Sequence, residues 1–176
     1  MLEHKPTSQP LWTLQVLTPD YQVDGFCDIN CFTPYTFCSA NYQIALPTDA
    51  LQLCQVHITP VSGLQTPHEL DVPNWNITFY NGFIAVIPRD KPSLQYFHDN
   101  LSHYPLYPVD VYAGPYIFHG DLPIEKKEFK KLEFLYSYIL KDVTIDCLAP
   151  QSPLKSYQVP FAMVRTLLVE GMVMKG

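Results

Sequence analysis

The sequence has little charge, few glycines and no long apolar run. Lys, Arg, Asp and Glu make up 16% of its 176 residues, below the typical share of about 25%. The formal net charge of −6 argues against nucleic acid as a ligand, because phosphate binding requires a concentrated field of Lys and Arg. No apolar run approaches the roughly 18 residues of a membrane span. We therefore expect no membrane span and no nucleic-acid surface.

Motifs that carry known chemistry are also missing. The sequence contains no nucleophile elbow, phosphate loop, zinc-protease motif or dinucleotide fingerprint, and its seven glycines leave little scope for a loop that cradles phosphate. The first residues lack the apolar region of a signal peptide. Five cysteines, an odd number, fit a reducing compartment better than a disulfide framework. We therefore expect a cytoplasmic, non-catalytic protein without a cofactor.

The cysteines allow two interpretations. Thiolates and one imidazole can hold zinc tetrahedrally, and the weak candidates for such a site are Cys27, Cys31, Cys38, Cys54 and His57. Their spacings lack the paired C-x2-C of zinc knuckles, and free cysteine is commonly a small buried side chain. A Cys nucleophile with a His base also needs a proximity that spacing does not reveal. Core cysteines are the preferred interpretation, with a thiol- or metal-dependent enzyme as a further alternative.

Aromatic residues and proline are abundant, with 12 Tyr, 10 Phe and 17 Pro. Tyr and Phe are enriched in protein interfaces, where Lys, Glu and Asp are depleted. Five aromatic residues crowd around the middle of the chain. They either pack two halves of the protein together, which is the commoner case, or line a groove for a partner. These candidate interface residues are Tyr96, Phe97, Tyr104, Tyr107 and Tyr112.

One stretch occurs twice. Residues 16–29 align with residues 111–124 without a gap, at a constant offset (111 − 16 = 95). The alignment pairs Tyr21 with Tyr116 and Gly25 with Gly120. A glycine that interrupts a strand favours a bulge or a bend, and a repeated bend is typical of small, strongly curved sheets.

A second correspondence is weaker. Asp49 and Asp142 recur, as do Cys54 and Cys147, at another offset (142 − 49 = 147 − 54 = 93). Aspartate is favoured at turns because its side chain bonds to its own backbone, so this pair predicts a repeated turn. Together the two offsets predict an internal duplication.

Three local patterns predict further elements. Asn81-Gly82 between apolar runs predicts a hairpin that joins strands around 75–79 and 83–87. Apolar residues at helical spacing predict a helix over 125–138, and Thr33-Pro34 predicts helical turns over 33–41. A helix also follows residue 90, and a closing strand pair covers 157–164 and 167–173.

The predicted order of strands, with a bent second strand that contains Gly25 or Gly120, resembles Sm-like and other small β-barrel domains, many of which bind RNA. The pattern Tyr-x-Val-x-Gly, followed by an apolar helix and by Leu-Pro-Thr-Asp-Ala at 46–50, is similar to small duplicated prokaryotic domains that are uncharacterised. The first resemblance implies nucleic-acid binding or regulation as an alternative function. The second implies no activity.

The predicted protein is mainly β with short helices, and it consists of two small curved sheets or barrels related by a pseudo-two-fold axis. Its predicted function is a non-catalytic interaction, assembly or scaffold subunit that binds through a charge-poor, Tyr- and Pro-rich surface. The partner is another protein or a second copy, which would make the protein a homo-oligomer. The predicted organisation is a flexible arm at 1–10, a first repeat at 11–90, a helix and Pro-rich linker at 91–108, and a second repeat at 109–176.

Overall fold

A computed structural model describes residues 11–28, 50–61, 70–78, 82–134, 137–149, 152 and 155–175. Within these ranges the chain forms ten β-strands, one α-helix and two 3₁₀ helices. In chain order they are β1 (Leu11–Leu17), β2 (Tyr21–Asp28), β3 (Ala50–Pro60), β4 (Leu70–Thr78), β5 (Ala85–Pro88), α1 (Lys91–Leu101), β6 (Leu106–Ala113), β7 (Tyr116–Pro123), a 3₁₀ helix (Lys126–Phe134), β8 (Ser137–Cys147), β9 (Ser156–Arg165), a 3₁₀ helix (Thr166–Leu168) and β10 (Gly171–Met174).

The ten strands form one open, antiparallel sheet in the order β10-β6-β7-β8-β9-β5-β1-β2-β3-β4. The prediction of a mainly β protein is confirmed. The prediction of two separate sheets or barrels is wrong, because β5 pairs with β1 on one side and with β9 on the other. These backbone ladders make one continuous sheet, and among the described strands its edges are β4 and β10.

The strand order contains the same succession twice. We call β1 to β5 the first half and β6 to β10 the second half. The second half runs β10-β6-β7-β8-β9 across the sheet, and the first half continues as β5-β1-β2-β3-β4. The junction between the halves pairs Ala85 with Val164 and Val86 with Met163. The junction thus pairs β5, at one end of the first half, with β9, at the opposite end of the second half. A two-fold axis would instead pair equivalent strands of the two halves.

Two hydrophobic cores lie on opposite faces of the sheet. Side chains alternate between the faces of a strand, and on β5 the side chain of Val86 joins one core while Ala85 and Ile87 join the other. On β9 the side chains of Met163 and Val164 divide in the same way. All four residues of β5 are buried, because this strand lies where both faces of the sheet are covered.

Each half contains one β-bulge at the predicted glycine. In the second half, His119 pairs with Thr144 and Asp121 pairs with Lys141, so β8 carries one extra residue opposite Gly120. Asp142 has a positive φ of 50° at this point. A Cβ atom on Gly120 would lie 3.0 Å from the carbonyl oxygen of Lys141, and glycine therefore permits the close approach of the two backbones.

The first half repeats this arrangement. The register between β2 and β3 shifts between Asp24 and Phe26, and Gln55 has a positive φ of 51°. A Cβ atom on Gly25 would lie 3.3 Å from the carbonyl oxygen of Cys54. The prediction of a repeated irregularity at the two glycines is confirmed, and the residues with positive φ lie on the facing strands β3 and β8.

The ladders do not support the weaker correspondence at offset 93. Asp142 lies within β8 and not at a turn, and Asp49 falls outside the described residues. Cys147 pairs with Tyr116, whereas Tyr21 pairs with Pro60. Cys147 therefore stands at the place of Pro60, because the connection from β7 to β8 is shorter than the one from β2 to β3 and so sets the offset of β8 from β3 at 87 (147 − 60 = 87).

Several predicted elements differ in the structure. β4 and β5 are not neighbours, and so the hairpin around Asn81-Gly82 is wrong; a fully apolar strand such as β5 is instead paired on both sides. Likewise β9 and β10 do not pair with each other. The helix predicted over 125–138 is a 3₁₀ helix, and β8 begins at Ser137, which pairs with Arg165. The turns predicted at 33–41 lie outside the described residues.

The helix predicted after residue 90 is present as α1. Asp90 caps it, because its side chain accepts a hydrogen bond of 2.8 Å from the backbone N–H of Ser93. Its residues Phe97 and Leu101 have buried side chains. No helix in the described ranges is both long and apolar enough to cross a membrane.

Candidate functional site

A cluster of charged side chains lies on the outer face of the second half. Asp110 on β6 and His119 on β7 are direct partners across the ladder, and they alternate with buried residues of the core. The Nδ1 atom of His119 lies 2.5 Å from Oδ1 of Asp110, and its Nε2 atom lies 3.1 Å from Oδ2 of Asp146 on β8. The Nζ atom of Lys175, which follows β10, lies 2.6 Å from Oδ1 of Asp110.

The contacts of this cluster link side chains of neighbouring strands. A neutral imidazole has one N–H donor, so His119 can donate to both carboxylates only when its ring is protonated. Burial raises the pKa of Asp110, but hydrogen bonds and positive charge from Lys175 and His119 hold that pKa below its usual 3.8. Both ring nitrogens are occupied by carboxylates, and the cluster therefore ties β6, β7, β8 and the end of β10 together.

We expect Asp110→Asn to reduce stability at neutral pH. The carboxylate is mostly buried, with 14% of the side chain exposed, and a hydrogen bond to a charged group contributes about 1.5–3 kcal/mol. Because the pKa of Asp110 is lowered in the folded state, its contribution is present above about 3.8 and is lost as the pH falls through the lower folded value. Urea unfolding should therefore separate variant and wild type near neutral pH, and the gap should shrink in strong acid.

Asp142→Asn is the matched control. Its side chain is 66% exposed, and asparagine tolerates the positive φ of this position. Its free energy of unfolding should stay within about 0.5 kcal/mol of wild type. Equal losses of unfolding free energy in both variants, or a loss in Asp110→Asn that does not change with pH, would contradict a stabilising role of the charged cluster.

Two tyrosine hydroxyls connect the halves beside the junction. The hydroxyl of Tyr157 on β9 donates to Oε1 of Gln15 on β1 at 3.1 Å, and the hydroxyl of Tyr116 donates to the carbonyl of Thr18 at 3.2 Å. Gln15, in turn, donates to Asp24 at 3.0 Å and is 1% exposed. Burial raises the pKa of both tyrosines, which keeps them protonated as donors. The junction is thus held by polar contacts as well as by the strand ladder.

Three of the five candidate metal ligands, Cys27, Cys54 and His57, lie within the described residues, where they form no metal site. Cys27 is fully buried in the first-half core, and the Sγ atom of Cys54 donates to the carbonyl of Phe26 at 3.4 Å. His57 lies 2.8 Å from Asp71 on the exposed side of the sheet. Cys31 and Cys38 lie outside the described residues. In the described part of the chain, no group of three or more His, Cys, Asp or Glu side chains could hold a metal ion.

The candidate interface aromatics pack mostly within the chain. Phe97 is fully buried, and its ring lies 5.5 Å from that of Phe161 on β9. It therefore packs the first half against the second, which is the commoner interpretation of these residues. The other contacts are Tyr96 with Trp12 at 6.2 Å, Tyr104 with His103 at 4.2 Å, and Tyr107 with Phe129 at 4.7 Å.

Tyr112 belongs to a different set, the large apolar side chains that are exposed. In the described ranges this set has seven members: three lie on β4 or β10, the end strands of the described sheet, and two lie on β6, which pairs with β10. The other two lie outside the strands, since Leu148 follows β8 and Leu167 lies in the 3₁₀ helix after β9. The five are Leu70 on β4, Val173 and Met174 on β10, and Leu106 and Tyr112 on β6.

Sequence reasoning missed this set except for Tyr112. It placed 167–173 in a closing strand pair and left open whether the edges of the sheet pair internally or recruit other chains. A usable signal was present, since β10 (GMVM) contains no charged residue and β4 (LDVPNWNIT) contains one. Charged side chains, especially Lys, are one of the means by which edge strands of soluble proteins avoid pairing with other chains.

No protein-family model, curated protein or solved structure matches this chain. The function proposed below therefore rests on the chain's own structure, above all on the two edges of the sheet that the described residues form and on the exposed apolar side chains near them.

Proposed function

We propose that this protein is a non-catalytic interaction or assembly subunit that binds a protein partner at the edges of its sheet. The observation that carries the proposal is the position of the exposed apolar side chains, five of seven of which lie on β4, on β10 or on β6 beside it in the described ranges. The alternative functions are nucleic-acid binding, implied by the resemblance to Sm-like domains, and thiol- or metal-dependent catalysis.

An open edge supplies the main-chain groups that such binding needs. A strand at the edge of a sheet presents N–H and C=O groups that can pair with a further strand. Partners that add a strand gain affinity from these bonds and specificity from alternate side chains. β4 extends over nine residues with Leu70 exposed, and β10 exposes Val173 and Met174. A partner at either edge would cover main chain and apolar surface together.

We also infer that the two halves are copies of one unit. Both have the same strand order, and both have a bulge opposite a glycine at the same place in their ladders. A proline stands across from the bulge residue in each half, Pro73 from Gln55 and Pro160 from Asp142 (160 − 73 = 87).

A reducing, cytoplasmic location is part of the proposal. It is supported by Cys27, Cys54 and Cys147, which form no disulfide within the described ranges. Disulfides form and persist in oxidising compartments and are rare in the cytosol. Cysteines that serve as core side chains are therefore compatible with a reducing environment.

The proposal is tested by capture from an extract of the cells that make the protein. Tagged wild type should retain a defined protein partner or untagged copies of itself. The double variant Val173→Lys/Met174→Lys places one ammonium on each face of β10. Burying an unpaired charge in an interface costs more than about 1.4 kcal/mol, and the variant should therefore retain about tenfold less of a partner that binds at β10.

Leu148→Lys is the matched control. Its side chain is 60% exposed and lies three strands from β10, and the variant should retain the same partner as wild type. The corresponding changes on β4, Asn74→Lys and Asn76→Lys, test the other edge. Equal retention by wild type and by both edge variants would refute binding at the sheet edges.

A further inference from the structure

We propose that the partner at these edges is a second copy of this chain, which docks head to tail with β10 of one copy against β4 of the next. The inference rests on the proposed function, because it requires the edges to bind. It adds the identity of the partner, the orientation of the two copies and the register of the two strands.

The junction inside the chain is the template. There the four-residue strand β5, at one end of the first half, pairs with β9, at the far end of the second half. The pairing is antiparallel, and it is extended by a hydrogen bond of 2.9 Å from the N–H of Arg165 to the carbonyl of Ile84. The junction uses the edge of one half and the opposite edge of the other.

β10 is the counterpart of β5. β5 pairs with β1, where Leu14 faces Pro88, and β10 pairs with β6, where Val109 faces Met174. Leu14 and Val109 are equivalent in the repeat (109 − 14 = 95). Their partners Pro88 and Met174 are therefore equivalent too, and so Ala85–Pro88 corresponds to Gly171–Met174 (174 − 88 = 86). The two strands have the same length, but β5 is fully buried whereas β10 is half-buried to exposed. The difference is the one expected for a strand that, among the described residues, pairs on one side only.

β4 is the counterpart of β9. Each is the outer neighbour of the strand that carries the bulge residue, and each places a proline across from that residue. The offset between them is 87, so Met163 and Val164 correspond to Asn76 and Ile77. The chain therefore carries one completed junction, between β5 and β9, and both members of a second, β10 and β4, at the two edges of the sheet.

This correspondence fixes a register for the contact between copies. Ala85 pairs with Val164 and Val86 pairs with Met163 inside the chain. Carried over, Gly171 of one copy would face Ile77 of the next, and Met172 would face Asn76. In this register the residues of β4 after Pro73 would form the ladder with β10 of the other copy. The contact would bury Val173 and Met174, which are exposed on β10.

A contact of this kind between copies can repeat from one copy to the next. Successive halves reverse the direction of their strands and place their cores on opposite faces of the sheet. A half turn about an axis that runs across the strands, combined with a shift along that axis, relates such halves. Contacts between unlike edges leave a free edge at each end, and they produce either open filaments or closed rings. We therefore expect wild type to form assemblies larger than a dimer.

Mixing two blocked variants tests the arrangement by light scattering. Val173→Lys/Met174→Lys blocks β10 and leaves β4 open, whereas Asn74→Lys/Asn76→Lys blocks β4 and leaves β10 open. Each variant by itself should be a monomer with the circular dichroism spectrum of wild type. An equimolar mixture should give twice the mass of one chain and no larger species, because only one productive contact remains. Leu148→Lys should assemble as wild type does.

Three outcomes would overturn the proposal. Wild type that stays monomeric at all concentrations has no such contact, and in that case the capture of a different protein at β10 would still uphold the proposed function. A blocked variant that dimerises by itself indicates pairing of like edges. Two folded variants that remain monomeric when mixed, while wild type assembles, place the contact elsewhere. If either Lys pair unfolds the protein, Met174→Lys and Asn74→Lys, which would face each other in this register, repeat the test as single changes.

Discussion

Phe97→Ala should lower the free energy of unfolding by about 3–5 kcal/mol, the range for removing a buried aromatic side chain from a core. Phe97 is fully buried on α1, and its ring packs 5.5 Å from Phe161 on β9. The side chain thus joins α1 to a strand of the second half. Domains of this size have only about 5–15 kcal/mol of stability, and the variant should unfold at a much lower urea concentration.

Gln95→Ala on the same helix is the control. Gln95 is exposed and donates to Asp99 at 2.7 Å, a surface contact of the kind that contributes about 0.2–0.5 kcal/mol. Its midpoint in urea, followed by tryptophan fluorescence, should stay near that of wild type. A loss in Phe97→Ala of less than about 1 kcal/mol would contradict the burial of Phe97 between the halves.

Alanine at Gly120 should destabilise the protein by about 1–3 kcal/mol, the usual cost of overpacking. A Cβ atom there would lie 3.0 Å from the carbonyl oxygen of Lys141 and 3.1 Å from Cγ2 of Val143. The backbone of β8 would have to move, and the move would disturb the bulge at Asp142. Gly25→Ala should cost less, because its closest contact would be 3.2 Å and falls on the side chain of Val56.

Gly171→Ala completes the series. A Cβ atom on Gly171 would meet nothing within 4 Å, and the loss of glycine reduces the entropy of the unfolded chain. This variant should therefore range from neutral to about 1 kcal/mol more stable than wild type. The expected order of stability in urea is Gly171→Ala, then Gly25→Ala, then Gly120→Ala. Any other order would contradict the close approach of the strands at the two bulges.

Sequence patterns predicted the features that depend on a single strand and its neighbour. Gly25 and Gly120 stood out because a bulge that brings two backbones together excludes a Cβ atom, and this requirement appears in the sequence itself. The short helix α1 was also predictable, since Asp90 caps it and Phe97 and Leu101 follow at helical spacing.

Features that depend on distant pairing were not predictable. The run Ala85–Pro88 is apolar on both faces, and such a run is consistent with any buried strand whatever its partners. Its place between β1 and β9 merges two expected sheets into one, and no local pattern encodes that choice. Apolar spacing predicted a helix over 125–138, and residues 126–134 form a 3₁₀ helix. From Ser137 the chain instead forms β8, which pairs with β9.

The candidate site was visible only in part. His119 and Asp110 flank the tight turn between β6 and β7, so alternation in that hairpin could have placed them together. Asp146 and Lys175 reach the cluster from β8 and from the end of β10, and their approach depends on the order of strands. The same is true of the open edges, because whether a strand has one neighbour or two is a property of the whole sheet.

Backbone hydrogen exchange tests the central claim, that β4 and β10 are binding edges, most directly. The measurement compares dilute with concentrated purified protein. The account predicts that exchange slows with concentration at residues 171–174 and 74–77, with little change at buried β5 or in the outer-face cluster around His119. Exchange at both edges that is independent of concentration, together with protection at another surface, would contradict it.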